Sequence, residues 1–412
     1  MKIWIVSVGE PLPTDQDARI RRMGILGKYI TENTDNTVDW FSASFDHYKK
    51  VQRAKKNTDI TINLKYTMHI VKTNGYKRNV SPARILQHIS SGKGIYKRMV
   101  DMGYKPDVIL ASMEPLEVSK ETVRFAKENN IPIIVDVRDL WPEIYYEAVK
   151  PEFHWLIKPY VKRCQRTLRL TMNAASGIVG MSEGFLEYGL KYANRKKGIY
   201  DASIPVAYPN YDYEEYRGKY NYLQEKYGIT EDDFVILFLG NFGNQFDFTP
   251  IIKASEKLLP YNNVKFVLAG TGAQIDEVKS NVRENVIFTG WIGRDDILSL
   301  VANSKLGIAP YIDSMNYRLN TPNKFGEYLF ASLPILISVD GVMKRLLEQH
   351  RCGMKYSDGE SLSNIILELY NNPIKQNEFA SNSRKLYLEM FEEKTVNERF
   401  LGHIKKVSKG AK

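Results

Sequence analysis

The sequence predicts an α/β protein built from two doubly wound, parallel-sheet domains. Short and almost wholly apolar runs alternate with helix-length segments along the 412 residues, as is typical of strands buried on both faces. The alternation starts again after residues 204–216. Glycine-rich or charged loops follow several of the apolar runs, at the strand ends where such sheets bind ligands.

The predicted elements divide the chain into two halves. A first helix is expected over about 19–31, and a last one over 392–406. Strands are expected at 2–8, 107–112, 132–139 and 177–182 in the first half, and at 234–240, 264–270, 286–290, 306–311 and 334–338 in the second. The predicted domains are 1–205 and 206–388, followed by a C-terminal helix over 389–412 that packs back toward the first domain.

Composition excludes several classes of protein. Apolar residues make up 43% and charged residues 26% of the chain, which argues against disorder. Cys164 and Cys352 are the two cysteines, too few for a disulfide framework or a zinc module. No apolar run approaches a membrane span, and the N-terminus lacks a signal peptide. The near absence of cysteine favours a reducing, cytoplasmic compartment. The six histidines show no HxxH spacing, so we expect no metal site.

Positive charge is concentrated in the first half. Residues 1–205 carry 33 Lys and Arg against 22 Asp and Glu, whereas residues 206–412 carry 25 against 26. The stretch 49–98 has thirteen basic residues and one acid, Asp59. Such a field attracts an anionic membrane or a phosphorylated substrate, although a solvated basic surface is the simpler alternative. Nucleic acid is disfavoured because aromatic interleaving and DNA-binding spacings are missing.

Glycine-containing loops follow three successive strands of the second domain. Each alone is a weak signal, but three turns on one sheet edge would line a single crevice where backbone amides can approach a phosphate. The candidate ligand-binding residues are Gly240, Asn241, Gly243 and Asn244, then Gly270 and Gly272, then Gly290 and Trp291.

The segment NTPNKFGEY, residues 320–328, is the most informative motif. Thr321 is expected to cap a helix that starts at Pro322, with Asn320 beside them. Lys324 and Glu327 then share one helix face. The lysine and the helix N-terminus suit a diphosphate, and the glutamate can accept hydrogen bonds from a vicinal diol such as a ribose. A surface Lys–Glu pair is the alternative.

Charged residues also follow the predicted strands of the first domain. Arg138 and Asp139 come directly after the run 133–137, and Glu114 follows the preceding strand. The alternative is that Arg138 and Asp139 only cap neighbouring elements. Arg19, Arg21 and Arg22 lie at or near a helix start, where they oppose the helix dipole, which favours an anionic partner. Arg19, Arg21 and Glu114 are therefore candidate acceptor-binding residues.

These motifs resemble those of family 4 glycosyltransferases with the GT-B fold. The segments that carry the resemblance are DVRDLWPE (136–143), SEGF (182–185), PNYD (209–212), GNFG (240–243) and the P-x-K-x-x-E-Y segment. They are similar to a bacterial O-antigen and capsule subgroup that includes N-acetylfucosamine transferases. The resemblance implies two Rossmann-like domains with the active site in the cleft between them. It also implies a UDP-linked sugar donor, retention of configuration and no required metal or cofactor.

The resemblance assigns roles residue by residue. Glu327 matches the second Glu of the family's E-x7-E motif, which holds the ribose, while Leu319 replaces the first. Asn241 and Phe246 stand where many relatives have diphosphate-binding Arg and Lys, and Arg138 stands where many have a His. The expected substitutes at the diphosphate are Lys324, Arg318 and the amides of Gly243 and Asn244. The expected catalytic residues are Arg138, Asp139, Lys324 and Glu327.

The leading hypothesis is a glycosyltransferase of the hexosyltransferase type, peripheral on the inner face of the cell membrane. It would transfer a sugar from a nucleotide-diphospho-sugar to a lipid-diphosphate-linked glycan. One alternative is a GT-B sugar-nucleotide 2-epimerase, disfavoured because histidines are scarce at the strand ends. The other is a non-catalytic polyanion-binding protein on the same fold, which the missing Glu and Arg positions favour. Protection by UDP separates the enzymes from the binding protein.

Overall fold

The computed structural model describes residues 1–15, 20–79, 81–147 and 149–410. The chain forms two compact units. Unit 1 contains Met1–Pro205 together with the chain from Asn397 onward, and unit 2 contains Val206–Val396. The last helix, Glu393–Gly410, begins in the final residues of unit 2 and continues through unit 1.

Unit 1 is built on an eight-stranded sheet in the order β3-β4-β2-β1-β5-β6-β7-β8, in which the β3–β4 pair is antiparallel and the other pairs are parallel. Its strands are β1 Lys2–Val6, β2 Thr37–Ala43, β3 Thr58–Asn63, β4 Tyr66–Val71, β5 Val108–Ser112, β6 Ile133–Val137, β7 Gly177–Gly180 and β8 Ala202–Ser203. Its helices are α1 Arg22–Asn33, α2 Pro82–Val100, α3 Leu116–Glu128, α4 Ile144–Glu147, α5 His154–Ala174 and α6 Glu183–Ala193.

Unit 2 is built on a six-stranded parallel sheet in the order β11-β10-β9-β12-β13-β14. Its strands are β9 Phe234–Leu239, β10 Val264–Ala269, β11 Val286–Gly290, β12 Leu306–Ala309, β13 Ile335–Ile337 and β14 Gly353–Lys355. The helices are α7 Tyr220–Tyr227, α8 Thr249–Lys257, α9 Ile275–Asn281, α10 Arg294–Asn303, α11 Met315–Leu319, α12 Asn323–Phe330, α13 Val342–His350, α14 Gly359–Asn371 and α15 Pro373–Leu386. The final helix, α16 Glu393–Gly410, begins in unit 2 and belongs to unit 1 from Asn397 onward.

The predicted α/β class with two doubly wound sheets is confirmed. The central strand β9, FVILFL, is buried over five of its six residues, because parallel strands covered by helices on both faces read as continuous apolar runs. The first helix begins at Arg22, later than predicted. The strands β2, β3 and β4 were not predicted, because Asp39 interrupts β2 and the edge strand β3 is largely exposed.

A buried tyrosine fixes the position of α12 on the unit 2 sheet. The hydroxyl of Tyr328 accepts a hydrogen bond from the Leu239 N–H at 3.0 Å and donates one to the Ile308 carbonyl at 3.1 Å. These partners lie at the carboxyl ends of β9 and β12, which are neighbours in the sheet. The first turns of α12, which contain Lys324 and Glu327, are therefore held at the sheet edge where Rossmann-like domains bind ligands.

Within the described part of the chain, none of the helices combines the length and the apolar content that crossing a bilayer requires.

Candidate functional site

The glycine turns of unit 2 lie side by side at the carboxyl edge of its sheet. The Gly240 N–H donates to the Ala269 carbonyl, and the Gly270 N–H donates to the Gly290 carbonyl, both at 2.8 Å. Gly270 has a φ of 134°, and a Cβ on it would overlap the carbonyl oxygen of Gly240. The close approach of these two turns therefore requires glycine, and they form one continuous edge as the sequence predicts.

Lys324 reaches this edge and covers Gly240. A Cβ on Gly240 would overlap the Lys324 Nζ, and the φ of Gly240 is 155°. Any other residue at position 240 would therefore displace the ammonium group. The ring centroids of Phe238 and Phe246 lie 4.8 and 5.2 Å from the same Nζ, a distance typical of cation–π contacts.

The ammonium group of Lys324 lacks an anionic partner. Among the described residues it has no hydrogen-bond acceptor and no ion pair, and burial lowers its pKa to about 8 even though Glu327 acts in the opposite direction. A largely buried cation without a partner is costly to folding. Such a group is typical of a site that a ligand completes.

Glu327 lies one turn further along α12. Its Oε1 accepts a hydrogen bond from the Tyr208 hydroxyl at 3.0 Å, and its Oε2 accepts none from the described residues. Tyr208 was not predicted as a site residue, because a tyrosine 119 positions away from the glutamate carries no motif signal. Oε2 remains available to hydroxyl groups of a ligand.

The segment before α12 differs from the prediction. Thr321 does not cap the helix: Pro322 occupies the N-cap position, and α12 begins at Asn323. Instead, Thr321 Oγ1, Asn320 Oδ1 and the nearby Asn316 Oδ1 are buried and find no hydrogen-bond partner among the described residues. An unsatisfied buried polar group costs about 1–3 kcal/mol. Three of them beside Lys324 in sequence indicate a polar ligand site.

The other predicted ligand-binding residues of unit 2 either contact protein groups or are exposed. The guanidinium of Arg318 pairs with Asp313 through two contacts of 2.5 Å, so it is already occupied by a carboxylate. The Gly243 N–H donates to the Asn241 carbonyl at 2.9 Å and is likewise used within the loop. Asn241 and Asn244 are exposed, Trp291 is 80% exposed directly after β11, and Gly272 packs against Asn241 Oδ1 and the Phe242 backbone.

In unit 1, Arg138 lies inside a network of carboxylates at the end of β6. It pairs with Glu10, its Nε lies 3.1 Å from Glu114 Oε1 and 3.8 Å from Asp136 Oδ2, and its NH2 donates to Ser112 Oγ at 3.0 Å. Burial by itself lowers the pKa of Arg138, but the neighbouring Glu114 and Glu10 raise it above its usual value. All three guanidinium nitrogens are therefore engaged by protein groups.

A second buried arginine closes this network. Asp136 is fully buried and accepts two hydrogen bonds of 3.0 Å from Arg22, which also donates to the Pro205 carbonyl at 2.7 Å. Arg22 therefore binds an internal carboxylate. The prediction that the arginines at this helix start meet an anionic ligand does not hold for Arg22. Glu10 Oε2 accepts from the Met23 N–H at 2.9 Å, which joins the start of α1 to the network.

The remaining predicted residues of unit 1 are two carboxylic acids, Glu114 and Asp139, and two arginines, Arg21 and Arg19. Burial raises the pKa of Glu114 to about 8, against the opposing effect of Arg138, and its Oε2 is buried without a partner. Burial likewise raises the pKa of Asp139. Arg21 is exposed and donates to the Tyr48 hydroxyl at 2.7 Å. Arg19 lies outside the described residues.

Among residues 1–15, 20–79, 81–147 and 149–410, no three His, Cys, Asp or Glu side chains are grouped to hold a metal ion.

Comparison with known sequences relates part of unit 2 to glycosyltransferases. Residues 233–372 match the family model of the group 1 glycosyl transferases. An uncharacterised glycosyltransferase of Methanocaldococcus jannaschii is 25% identical over 171 residues, 39% of this chain and 40% of that protein. An alpha-monoglucosyldiacylglycerol synthase of Acholeplasma laidlawii is 24% identical over 163 residues, 37% of this chain and 38% of that protein. The chain thus matches about two fifths of the length of these curated relatives.

Solved structures match the whole chain at low identity. HepE of Anabaena in complex with UDP has a TM-score of 0.64 at 15% identity, over 98% of this chain and 99% of that one. Sucrose-phosphate synthase of Thermosynechococcus elongatus has a TM-score of 0.68 at 14% identity, over 98% of both chains. WaaG, a glycosyltransferase of lipopolysaccharide biosynthesis, has a TM-score of 0.62 at 14% identity, over 98% and 99%. These likenesses establish the fold, which is the GT-B fold that the motifs implied.

Proposed function

We propose that the protein is a retaining, metal-independent glycosyltransferase. It transfers a sugar from a nucleotide-diphospho-sugar, UDP-linked, to a lipid-diphosphate-linked glycan in bacterial O-antigen or capsule synthesis. The observation that carries this proposal is the unpartnered ammonium of Lys324, held against Gly240 at the end of β9. The match of residues 233–372 to the group 1 glycosyl transferases supports the reaction class.

The proposed sugar transfer uses the groups of this site that have no partner among the described residues. Lys324 and the free amides at the start of α12 stabilise the charge that develops on the departing diphosphate, which is usually the largest catalytic contribution. Glu327 Oε2 accepts hydrogen bonds from the two ribose hydroxyls. The leaving phosphate takes the proton of the attacking acceptor hydroxyl on the same face of the sugar, so that configuration is retained without a separate base.

Two of the relatives support the choice of donor and acceptor. HepE was solved with UDP, with UDP and glucose and with UDP-glucose. The Acholeplasma relative is named as a synthase of a glucosylated diacylglycerol. A UDP-linked donor and a lipid-borne acceptor are therefore the first combination to test on this chain.

UDP is expected to protect the chain against thermal unfolding, and Glu327→Ala is expected to remove most of that protection. UDP at about a hundred times its Kd stabilises a folded protein by about 2.7 kcal/mol. Lost hydrogen bonds to a charged acceptor cost about 1.5–3 kcal/mol, so the variant should bind UDP and turn over the donor about 10- to 100-fold less well. Thermal shift and donor-hydrolysis assays measure both effects.

Glu225→Ala is the matched control, because Glu225 is an exposed glutamate of α7 in the same unit. Protection by UDP that is equal in all three proteins would remove Glu327 from the nucleotide site. No protection in the unmodified chain would favour the non-catalytic polyanion-binding protein. Protection with formation of a 2-epimeric sugar nucleotide, and no transfer to an acceptor, would favour the epimerase.

The proposed location is the inner face of the cell membrane, reached through the basic stretch 49–98. Lys55, Lys56, Lys77 and Arg78 are all exposed. Tyr76, Leu86 and Ile95 are the apolar residues of this stretch expected to add shallow membrane contacts. Leu86 is 60% exposed, whereas Tyr76 and Ile95 are buried, with exposures of 6% and 1%. Further apolar contacts are available on α5, where Trp155 and Leu156 are 69% and 56% exposed.

The chain is expected to sediment with vesicles that contain anionic lipid at low salt and to be released at high salt. Each Lys or Arg near an anionic surface contributes about 1 kcal/mol, within a Debye length of about 8 Å at physiological salt. Changing Lys55, Lys56, Lys77 and Arg78 to Glu should therefore abolish sedimentation. The control changes four exposed lysines of unit 2 to Glu, namely Lys219, Lys253, Lys257 and Lys279. Binding that ignores salt and lipid charge would rule out this mechanism.

A further inference from the structure

A second group of cations lies in unit 1, away from the Arg138 network. It consists of Arg21, Lys50 and Arg84, which we call the cationic cluster. Arg21 immediately precedes α1, Lys50 lies in the loop after β2, and Arg84 lies in the first turn of α2, which follows β4. All three positions follow the carboxyl ends of parallel strands of the unit 1 sheet, the edge where such domains bind ligands.

His47 and Tyr76 hold the cluster together. His47 Nδ1 and the Tyr76 hydroxyl form a short hydrogen bond. The Lys50 Nζ lies 4.4 Å and the Arg84 Cζ 5.9 Å from the centroid of the Tyr76 ring. The Lys50 Nζ also lies 3.5 Å from His47 Nδ1. The Arg21 Cζ lies 4.7 Å from the centroid of the Tyr48 ring, and that ring lies 5.1 Å from the His47 ring. The three cations are therefore linked through His47 and the two tyrosines beside it.

The acids near the cluster are used by other groups. Asp46 pairs with Arg53 at 3.3 Å and accepts the N–H groups of Tyr48 and Lys49 at 2.7 and 2.9 Å. Asp15 pairs with the same arginine at 2.7 Å. Among residues 1–15, 20–79, 81–147 and 149–410, no carboxylate forms an ion pair with any member of the cluster. Within the described part of the chain, no carboxylate is therefore bound directly to the cluster.

The nearby histidines stay uncharged beside these cations. Burial, together with Lys50 and Arg84, lowers the pKa of His47 to about 4, and burial with Arg84 lowers that of His88 to about 3. The Arg84 Nε donates to His88 Nε2 at 3.4 Å, so the proton of the neutral ring lies on Nδ1. That Nδ1 is buried and has no hydrogen-bond partner in the described part of the chain; Glu117 Oε2 lies 3.8 Å from it.

The backbone at Lys50 provides an independent indication of function. Lys50 has a φ of 58°, the left-handed region that glycine and asparagine adopt with less strain. Its Nζ is only partly occupied, by Asn79 Oδ1 at 2.5 Å and His47 Nδ1 at 3.5 Å. A strained backbone that presents a lysine beside two other cations is typical of a binding site.

We propose that Arg21, Lys50 and Arg84 bind a phosphate or diphosphate group of the acceptor substrate. This inference rests on the proposed function, because it assigns to unit 1 the anionic part of the molecule that receives the sugar. Arginine and lysine side chains converging without carboxylates suit a multiply charged oxyanion. Trp141, whose ring lies 5.3 Å from the Arg84 Cζ, connects the cluster to the loop that follows β6 and contains Arg138.

The test is calorimetric titration of the full chain with inorganic pyrophosphate, in the presence of saturating UDP to block the nucleotide site. We expect Arg84→Gln and Lys50→Gly each to weaken pyrophosphate binding by at least about tenfold, as loss of a charge-assisted hydrogen bond does. Lys50→Gly removes the side chain and also relieves the left-handed backbone, so its melting temperature should not fall. Lys93→Gln, at an exposed lysine on the same helix as Arg84, is the control with the same change of charge.

The outcomes separate this inference from the proposed function. UDP binding together with pyrophosphate affinity that is unchanged in Arg84→Gln and Lys50→Gly would overturn the inference alone. Absent UDP binding, with pyrophosphate affinity still lost in both variants, would overturn the proposed function and leave an oxyanion site. Vesicles containing phosphatidic acid identify the source of the phosphate. Binding of Lys50→Gly to these vesicles that is weaker than that of the unmodified chain supports a lipid headgroup. Vesicle binding that is unchanged, while pyrophosphate binding is weaker, supports a soluble phosphate.

Discussion

Lys324→Met is expected to lower kcat by about 10²–10³-fold, the usual loss when a single donor to a developing negative charge is removed. The Lys324 Nζ lies against Gly240 between Phe238 and Phe246. A solvent molecule that fills its place cannot supply a full positive charge to the leaving diphosphate. Because the negative charge on the diphosphate grows toward the transition state, the substitution should change kcat more than the Michaelis constant.

The same substitution is expected to stabilise the ligand-free protein. Below pH 8 the lysine is charged in both the folded and the unfolded chain, and its burial opposes folding, since its pKa is lowered from 10.5 to about 8. Between about pH 8 and 10.5 the folded chain loses this proton while the unfolded chain keeps it, so the destabilising contribution shrinks as the pH rises. The gain from methionine should therefore be largest near neutral pH and vanish toward pH 10.5.

Melting temperatures at pH 7 and pH 10, with and without UDP, measure this second effect. We expect Lys324→Met to melt above the unmodified chain without UDP and to gain less from added UDP. Lys253→Met, at an exposed lysine of α8, is the control for both assays. A normal kcat would remove Lys324 from the reaction, and an unchanged melting temperature would mean that the ammonium group finds a partner within the protein.

The parts of the candidate site that could be predicted are those set by local pattern. Lys324 and Glu327 lie within one helix, where a spacing of three fixes a common face. Gly240, Gly270 and Gly290 end three strands whose apolar runs are visible in the sequence, and parallel strands bring their carboxyl ends to one edge. Local pattern predicted these positions because it decides helix phase and strand direction.

The rest depends on long-range contacts that no local pattern contains. Arg138 meets Glu10 across 128 positions, and which carboxylate it engages depends on how β1 and β6 are ordered in the sheet. Thr321 reads as a good N-cap, yet the chain turns so that Pro322 takes that place and the threonine hydroxyl stays unsatisfied. Local preference at such a position yields to tertiary packing, which is common at functional sites.

Arg138→Met is expected to destabilise unit 1 by about 3–5 kcal/mol, the range for removing one partner from a buried ion pair. The substitution leaves Glu10, Glu114 and Asp136 facing one another, and the exposed fractions of these side chains are 2%, 16% and 0%. Arg22 remains paired with Asp136 but cannot neutralise all three carboxyl groups. Chemical unfolding measures the loss.

Arg124→Met is the matched control. Arg124 belongs to the same unit and contacts Glu121 and Glu128, but its side chain is 56% exposed. An exposed pair contributes about 0–1 kcal/mol, so the control should unfold almost like the unmodified chain. Equal losses in the two variants would contradict the view that burial of the Arg138 network decides its contribution.

The pH dependence of the Arg138→Met deficit identifies its cause. Burial raises the pKa of Glu114 to about 8 even beside Arg138. Without the guanidinium this effect is unopposed, so the folded variant keeps the Glu114 proton to a higher pH than the unfolded chain and its stability falls as the pH rises. Because the pKa of Glu114 is already about 8 with Arg138 present, the deficit should grow above about pH 8, and Glu114→Gln in the same chain should reduce that growth. A folded, fully stable Arg138→Met variant that has lost turnover would instead assign the arginine to the reaction itself, as the sequence pattern predicts. If the variant is less stable but its folded fraction keeps its turnover, the role of Arg138 is restricted to stabilising the sheet edge of unit 1.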